Sequence, residues 1–578
     1  MSKQTKQTKN KAVFEPFLGI DAQNQHQGTP GTASMVNFRI KKDGSLTKRE
    51  GHHHITRLPN NIYAVWTGKL FGEVQTILLS GSYVIRFYPD TGTTSVLGNL
   101  QSPPIDNPQF FFYRDRLYLP GKDRIYEIKK NSVAEIEAYV PLIGKDWPTT
   151  HIGEIHEPRN LLTRRARIHY LIPQTPSIFL RTGYPVESIQ AVYINDVLKA
   201  SSDYSYDAPT QSILIASLKE GDRVRVHLTY TASSEGSEAS DLLSCSRAEV
   251  FGDTENNRIF FWNGTKKNTF YTSRYVSNEA LAESALSVST SVPLYFPEHS
   301  ARVLGDGRYN VTGFIRQYDR LLIFNEQEAY MTNIDLLSSD HFSVKPINPS
   351  VGCSDIGACA VADNTPFTVS HKQICRWTTE TDEYNQSNAL DISDPIRPLL
   401  SEKLLKTANL FFYQSGRELL LYSYKQDDPI WIYHLDSGAW YCFSNIPAEL
   451  FFEINDKLYF CHRNCISAFD PLYYEDMDDG QNESEIVAKF DSHILEYGSS
   501  EKKIFSALTV RADCDGGSIR ILLLGNGISP LEQTVLANEA HSTLRYRLRS
   551  GRFQHATISI IAEGIARQTI HSLISEVR

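Results

Sequence analysis

Three consecutive histidines, His52, His53 and His54, invite a metal reading, because imidazole is the commonest metal-binding side chain. On a strand, His52 and His54 share a face and His53 points away. No acidic residue or cysteine accompanies them at metal-site spacing, so a metal-free strand is expected. Cys461-His-Arg-Asn-Cys465 sets two thiols across an expected turn, but zinc needs two more ligands and none follows at CxxC spacing. Both are read as buried thiols. The run Glu475, Asp476, Asp478, Asp479, Gly480 departs from the calcium-loop order of alternating ligands with a sixth-position glycine, and is read as a solvated inter-domain loop. Asp436-Ser-Gly438-Ala-Trp440 is one residue short of the Asp-box turn of propeller sialidases. The sequence holds no GxSxG elbow, HExxH pair, P-loop or GxGxxG, and the adjacent carboxylates Asp427 and Asp428 have no signposted partner. The expectation is no catalytic residue, no cofactor and no metal.

The elements that would position any such group are strands. Six Trp, 30 Tyr and 28 Phe make 11% of the chain aromatic, and 33 Gly and 26 Pro punctuate it. Hairpin-like units recur at Ile77–Gly92, Phe110–Tyr126, Arg247–Tyr271 (turn Glu255–Asn257), Phe314–Tyr330, Phe367–Trp377, Leu410–Phe443 and Phe451–Phe469 (turn Asn455-Asp456-Lys457). Ile430–Phe443, two aromatic strands around Asp436-Ser-Gly438, looks like the outer hairpin of a kelch-type blade. Four-stranded sheets that cannot bury both faces alone stack radially, which leads to an all-β chain built on an irregular propeller of about six to eight blades.

Two stretches break the repeat. Residues 157–244 carry their own strands, including Gly221–Tyr230, where Val224, Val226 and Leu228 alternate with Arg223, Arg225 and His227. This reads as an inserted β-sandwich, with Ala232–Ser240 as its return linker. Residues 471–578 read as a C-terminal sandwich-like domain with strands at Ser506–Ala512, Ser518–Leu524 and Thr557–Ile561. The propeller body then occupies 61–156 and 245–470, behind an N-terminal arm and hairpin over 1–60. Asn278–Leu286 and Leu399–Thr407 are the only candidate helices. Met1–Ala12 has no apolar core of a secretory signal, no apolar run spans a bilayer, and eight sparse cysteines fit a reducing interior. A net charge of −9 gives no support to a nucleic-acid-coating role.

Residues 14–55 are the most distinctive. Gly19-Ile-Asp21 is followed by Met35-Val-Asn37-Phe-Arg-Ile and then Asp43-Gly44-Ser-Leu46-Thr-Lys48-Arg49-Glu-Gly51. Asp43-Gly44 joins two short strands, and Lys48-Arg49 is read as a basic tip at their end. Gly19, Asp21, Asn37, Gly44, Leu46, Lys48, Arg49 and Gly51 give the segment a pattern that resembles the opening of tail hub, or nozzle, proteins of short-tailed bacteriophages, the packaged-DNA stabilisation and tail tubular proteins. The resemblance implies a non-enzymatic virion structural protein, assembled in the host bacterial cytoplasm as a homo-oligomeric ring, a hexamer. Such a ring sits below the portal and head–tail adaptor, holds distal fibre, spike or needle proteins, and passes double-stranded DNA through its lumen without reading sequence. A negatively charged lumen lets a duplex slide, whereas basic residues would grip phosphates through counterion release.

Three other readings compete. A neck or stopper protein of a long-tailed phage differs only in its neighbours. A cellular kelch-like scaffold predicts a uniform repeat with glycine pairs in each blade, which these units lack. A glycan-binding or glycan-cleaving propeller predicts arginines and carboxylates clustered at the propeller axis.

Overall fold

The computed structural model describes residues 10–578 apart from 25–29, 102–106, 146–155, 172–178, 216–217, 233–235, 254–256, 279, 282–290, 334–341, 380–387, 424–428, 479, 481 and 537–541. Most of the expected turn at Glu255–Asn257, most of the candidate helix Asn278–Leu286, and Asp427, Asp428 and Asp479 lie outside the described residues. The chain is all-β. Among the described residues, six separate four-stranded sheets, with four strands of a nine-stranded sheet, make seven propeller blades.

Blade 1 is Ile62–Leu70, Glu73–Ser80, Tyr83–Tyr88 and Thr93–Asn99. Blade 2 is Phe111–Tyr113, Arg116–Pro120, Ile125–Ile128 and Val133–Glu135. Blades 3, 4 and 5 begin at Arg247–Phe251, Val311–Gln317 and Cys359–Ala362. Blade 6 is Asn409–Tyr413, Glu418–Tyr422, Ile430–His434 and Ala439–Phe443. Several blades open with two-residue turns whose residues both have positive φ: Arg114 (48°) and Asp115 (58°), Asp363 (48°) and Asn364 (61°), Asn455 (48°) and Asp456 (63°). That geometry matches the right-handed twist of the flanking strands, and Asn and Asp tolerate it.

Apolar side chains fill the wedges between blades. Leu117, Leu119 and Tyr126 of blade 2 pack with Ile77 and Leu79 of blade 1. Phe260, Trp262 and Phe270 of blade 3 pack with Phe314 and Ile323 of blade 4. The ring closes where Phe452, Tyr459 and Ile466 of blade 7 meet Leu78, Ile85 and Phe87 of blade 1. Blade 7 supplies three strands from Leu450–Ile454, Lys457–His462 and Cys465–Asp470, and its fourth is Gly51–Arg57, from the other end of the chain.

The inserted domain pairs Leu142–Lys145, Arg165–Leu171, Arg223–Tyr230, Val186–Ile194 and Val197–Leu198 in one sheet, against a three-stranded second sheet. Val224, Val226 and Leu228 are buried in its separate core. Its first strand precedes residue 157, because Leu142–Lys145 runs parallel to Arg165–Leu171. The stretch read as a linker over 232–240 includes the start of a helix, Ser237–Leu243, which buries Ala239 and Leu242. A second helix, Glu402–Thr407, falls in the candidate stretch Leu399–Thr407; the Ser401 hydroxyl accepts from the Leu404 N–H at its start.

The N-terminal segment is no free-standing arm. Lys11–Phe14 and Leu46–Lys48 both pair with Gln568–Val577, and Thr32–Val36 pairs with Ala488–Ser492. Residues 11–48 thus complete both sheets of the C-terminal sandwich. Through Val36, paired in parallel with Cys442, one of those sheets runs on into the outer strand of blade 6. The physical reason is apolar content: Phe14, Phe17, Ile20, Met35, Phe38, Ile40 and Leu46 are all buried in the core shared with Phe490, Leu508, Ile560 and Leu573. Among the described residues no helix is long and apolar enough to cross a membrane.

Candidate functional site: an arginine clasp where three modules meet

The hairpin Phe38–Ile40 to Leu46–Lys48 turns through Gly44, whose φ of +82° and close approach to Pro16 both exclude a side chain. Ser45 donates to the Asp43 carboxylate from its hydroxyl (2.6 Å) and its backbone N–H (2.9 Å), which holds that carboxyl below its usual range. Leu46 is wholly buried. After the hairpin the chain passes through Lys48, Arg49, Glu50 and Gly51 into blade 7.

Arg49 is 0% exposed, so the basic tip expected from Lys48-Arg49 is instead interior. All five guanidinium N–H groups are matched. Nε donates to Asn37 Oδ1 (3.0 Å), Nη1 to the Glu50 carbonyl (3.0 Å) and Asp476 Oδ1 (2.8 Å), and Nη2 to the Ser444 carbonyl (3.2 Å) and Asp476 Oδ2 (2.5 Å). This is the two-pronged guanidinium–carboxylate pair, the strongest ionic geometry available to side chains. Asn37, at φ +58°, uses its whole amide as well. It donates to Ser444 Oγ (3.0 Å) and the Val487 carbonyl (2.9 Å), and accepts from Arg49 and the Ser444 N–H (3.0 Å). One cluster therefore joins the hairpin, the end of blade 6 and the entry to the C-terminal sandwich.

Asp476 corrects another expectation. It belongs to the run read as a solvated loop, yet it is 6% exposed, on a strand Glu475–Met477 that pairs with Glu483–Glu485. Asp478 is exposed and accepts from Asn482 and Gly480. Lys48 is buried too and donates from Nζ to the Gly564 carbonyl; burial pushes its ammonium down to about 8, with Glu485 opposing.

A second, half-buried charge group lies alongside. Arg39 pairs with Glu418 (3.0 Å) and with Glu50, and Tyr441 donates to Glu418 (2.7 Å). Both Arg39 and Arg49 lie over the Phe443 ring, at 5.2 and 5.7 Å from its centre. Sequence reasoning missed Ser444, Asp476 and Glu418. No local signal marks Asp476, whose partner Arg49 lies at the other end of the sequence.

The remaining motif residues fix the path of the chain. A side chain on Gly19 would come within 2.6 Å of the Trp440 backbone nitrogen, and one on Gly51 would overlap the Glu475 carbonyl. Asp21 donates from its N–H to the Thr32 carbonyl (2.8 Å), its carbonyl accepts from His493, and its carboxylate accepts from Asn24. Asn37, Lys48 and Arg49 converge; Gly19 acts at a neighbouring seam with blade 6 and Asp21 at one with the C-terminal sandwich.

His52 packs edge-on to Phe460 and Phe469, with ring centres 4.9 and 6.0 Å away. Burial pushes its imidazole down to about 4, with Asp476 opposing. An unfolded histidine near 6.5 binds its proton first, so this site contributes stability above pH 6.5 that is lost as pH falls toward 4, by about 3 kcal/mol. We expect His52→Leu to remove that part of the acid sensitivity, read as the difference from wild type in urea midpoints between pH 7 and pH 4. Equal slopes would contradict it. Among the described residues no group of three or more His, Cys, Asp or Glu is placed to hold a metal ion. Cys461 and Cys465 are buried on adjacent strands of blade 7.

No protein-family model matches the sequence, and no curated protein matches it. Among solved structures, the chain is similar to the AfRom2 CNH domain at 4% identity and a TM-score of 0.33, over 73% of this chain and 99% of that one. Kluyveromyces lactis Hsv2 gives 8% identity and 0.26, over 67% and 98%. A glycoside hydrolase gives 11% and 0.22, over 90% and 99%. Likeness at this level carries no inference about activity.

Proposed function

We propose that the chain is a ring-forming structural protein of a phage virion tail, the hub or nozzle of a short tail, that extends the DNA channel, retains packaged DNA and serves its ejection. The observation that supports this reading is that the residues carrying the resemblance act together physically. Asn37, Lys48 and Arg49, with the tight turn at Gly44 and the close approach of Gly51 to the Glu475 carbonyl, lock the N-terminal segment to blade 6, blade 7 and the C-terminal sandwich. A part that transmits load between a portal and a fibre needs its modules joined rigidly, and buried, fully matched polar clusters do that. On this reading the portal or adaptor ring and the distal fibre proteins are its partners, and its lumen carries negative charge.

Light scattering and negative-stain microscopy of the purified protein test the proposal. A hexamer of the 65.5 kDa chain, imaged as a six-fold ring with a central hole, is the expected result. A monomer at high concentration would overturn it. A ring whose channel is lined by Lys and Arg would overturn the electrostatic part alone.

A further inference from the structure

The propeller axis holds a second feature, unrelated to the clasp. The opening strands of blades 2 to 7 touch in succession and meet blade 1, so they line the axis. Between those of blades 3, 4 and 5 lies a cavity of ≈ 380 Å³, within the range of small-ligand sites. Arg247 and Glu249 from blade 3, Arg316 from blade 4, Cys359 and Asn364 from blade 5, and Gln109 ahead of blade 2 reach it.

These charges do not neutralise one another. Among the described residues Arg247 has one long hydrogen bond, Nη1 to Gln109 Oε1 at 3.5 Å, and its Nε is buried without a partner. Arg316 donates from Nε to the Tyr318 carbonyl (3.2 Å), and its guanidinium is exposed. Among the described residues Glu249 has no hydrogen bond or ion pair. Two guanidiniums against one carboxyl leave the cavity positive. Burial pushes Glu249 up to about 8, with Arg316 opposing, so at neutral pH it is largely a protonated carboxyl able to donate. Orphaned donors around a roomy positive cavity are what an anion requires.

We propose that this axial cavity binds a small dianion, of the sulfate, phosphate or dicarboxylate type, between Arg247 and Arg316, with the Glu249 carboxyl donating to one of its oxygens. The ionisable groups facing Glu249 are Arg247 on its own strand, Arg316 from blade 4 and Cys359 from blade 5, with Asp355 and Tyr422 behind Arg247. Ionised Glu249 repels the ligand, so affinity falls as pH rises through 8.

The test is calorimetric titration of the full chain with sodium sulfate and, separately, sodium succinate, at constant ionic strength. Neither dianion changes charge between pH 7 and 9. The series uses a Cys359→Ser background, which removes the one thiol lining the cavity. Saturable binding is expected, stronger for sulfate if the natural ligand bears a tetrahedral oxyanion and for succinate if it bears carboxylates. Arg316→Gln, at an exposed position tolerant of change, should weaken it by about tenfold or more. Raising pH from 7 to 9 should weaken binding by about tenfold with Glu249 present and by less than about twofold in Glu249→Gln, which keeps a donor but cannot ionise. Absence of saturable binding to both anions, an unchanged Arg316→Gln, or a Glu249→Gln that follows the same pH curve would each overturn the proposal.

Discussion

Arg49→Ala should lower the stability of the protein by about 3–5 kcal/mol, the cost of breaking a buried ion pair by removing one partner. The loss is large because Asp476 stays interior with no cation, and Asn37 Oδ1 and the Ser444 carbonyl each lose a donor. Little of it reflects net attraction between the charges, since desolvation offsets most of that. The double variant Arg49→Met, Asp476→Leu should therefore be less damaging than Arg49→Ala alone. Urea midpoints for the three proteins decide the matter. A double variant no better than the single would mean that packing, and not an uncompensated charge, sets the cost.

Removing residues 1–50 should abolish the C-terminal sandwich while leaving the strand Gly51–Arg57 in place. Seven large apolar side chains would be withdrawn from a core that already includes Phe490, Leu508 and Ile560. At 1.5–3 kcal/mol for each, the lost burial is about 10–20 kcal/mol, an upper estimate because unfolded chains already bury some of that surface. A domain's net stability is of the order of 5–15 kcal/mol, so the sandwich would not survive. The truncated protein should aggregate or show protease cleavage confined to residues 471–578. A soluble, protease-resistant truncation would show that the N-terminal strands decorate a sandwich that stands without them.

Much of the fold was legible because it is local. Asn455-Asp456 between aromatic runs, or Val224, Val226 and Leu228 alternating with polar residues, specify a hairpin or a half-buried strand without reference to anything distant. Long-range pairing was not legible. Nothing near Gly51–Arg57 announces a partner at Cys465–Asp470, and nothing near Lys11–Phe14 announces one at Gln568–Val577. The same limit governed charge. Lys48-Arg49 and Asp476 each look like solvated polar residues when read alone, because an unpaired charge belongs in water. They become interior only as a set, and their separation of 427 positions hides the set. The axial cavity escaped for a related reason: Arg247, Glu249 and Arg316 are unremarkable on their own strands and gain meaning when three blades bring them together.

The strand that closes blade 7 and those that complete the C-terminal sandwich are made well before the strands they pair with. At roughly 5–20 residues per second, Gly51–Arg57 waits about twenty to eighty seconds for Cys465–Asp470 to emerge. Throughout that interval its apolar neighbours are available to wrong partners, including the same segment of nascent chains on adjacent ribosomes. Shielding those strands until their partners emerge would therefore favour correct folding of this protein.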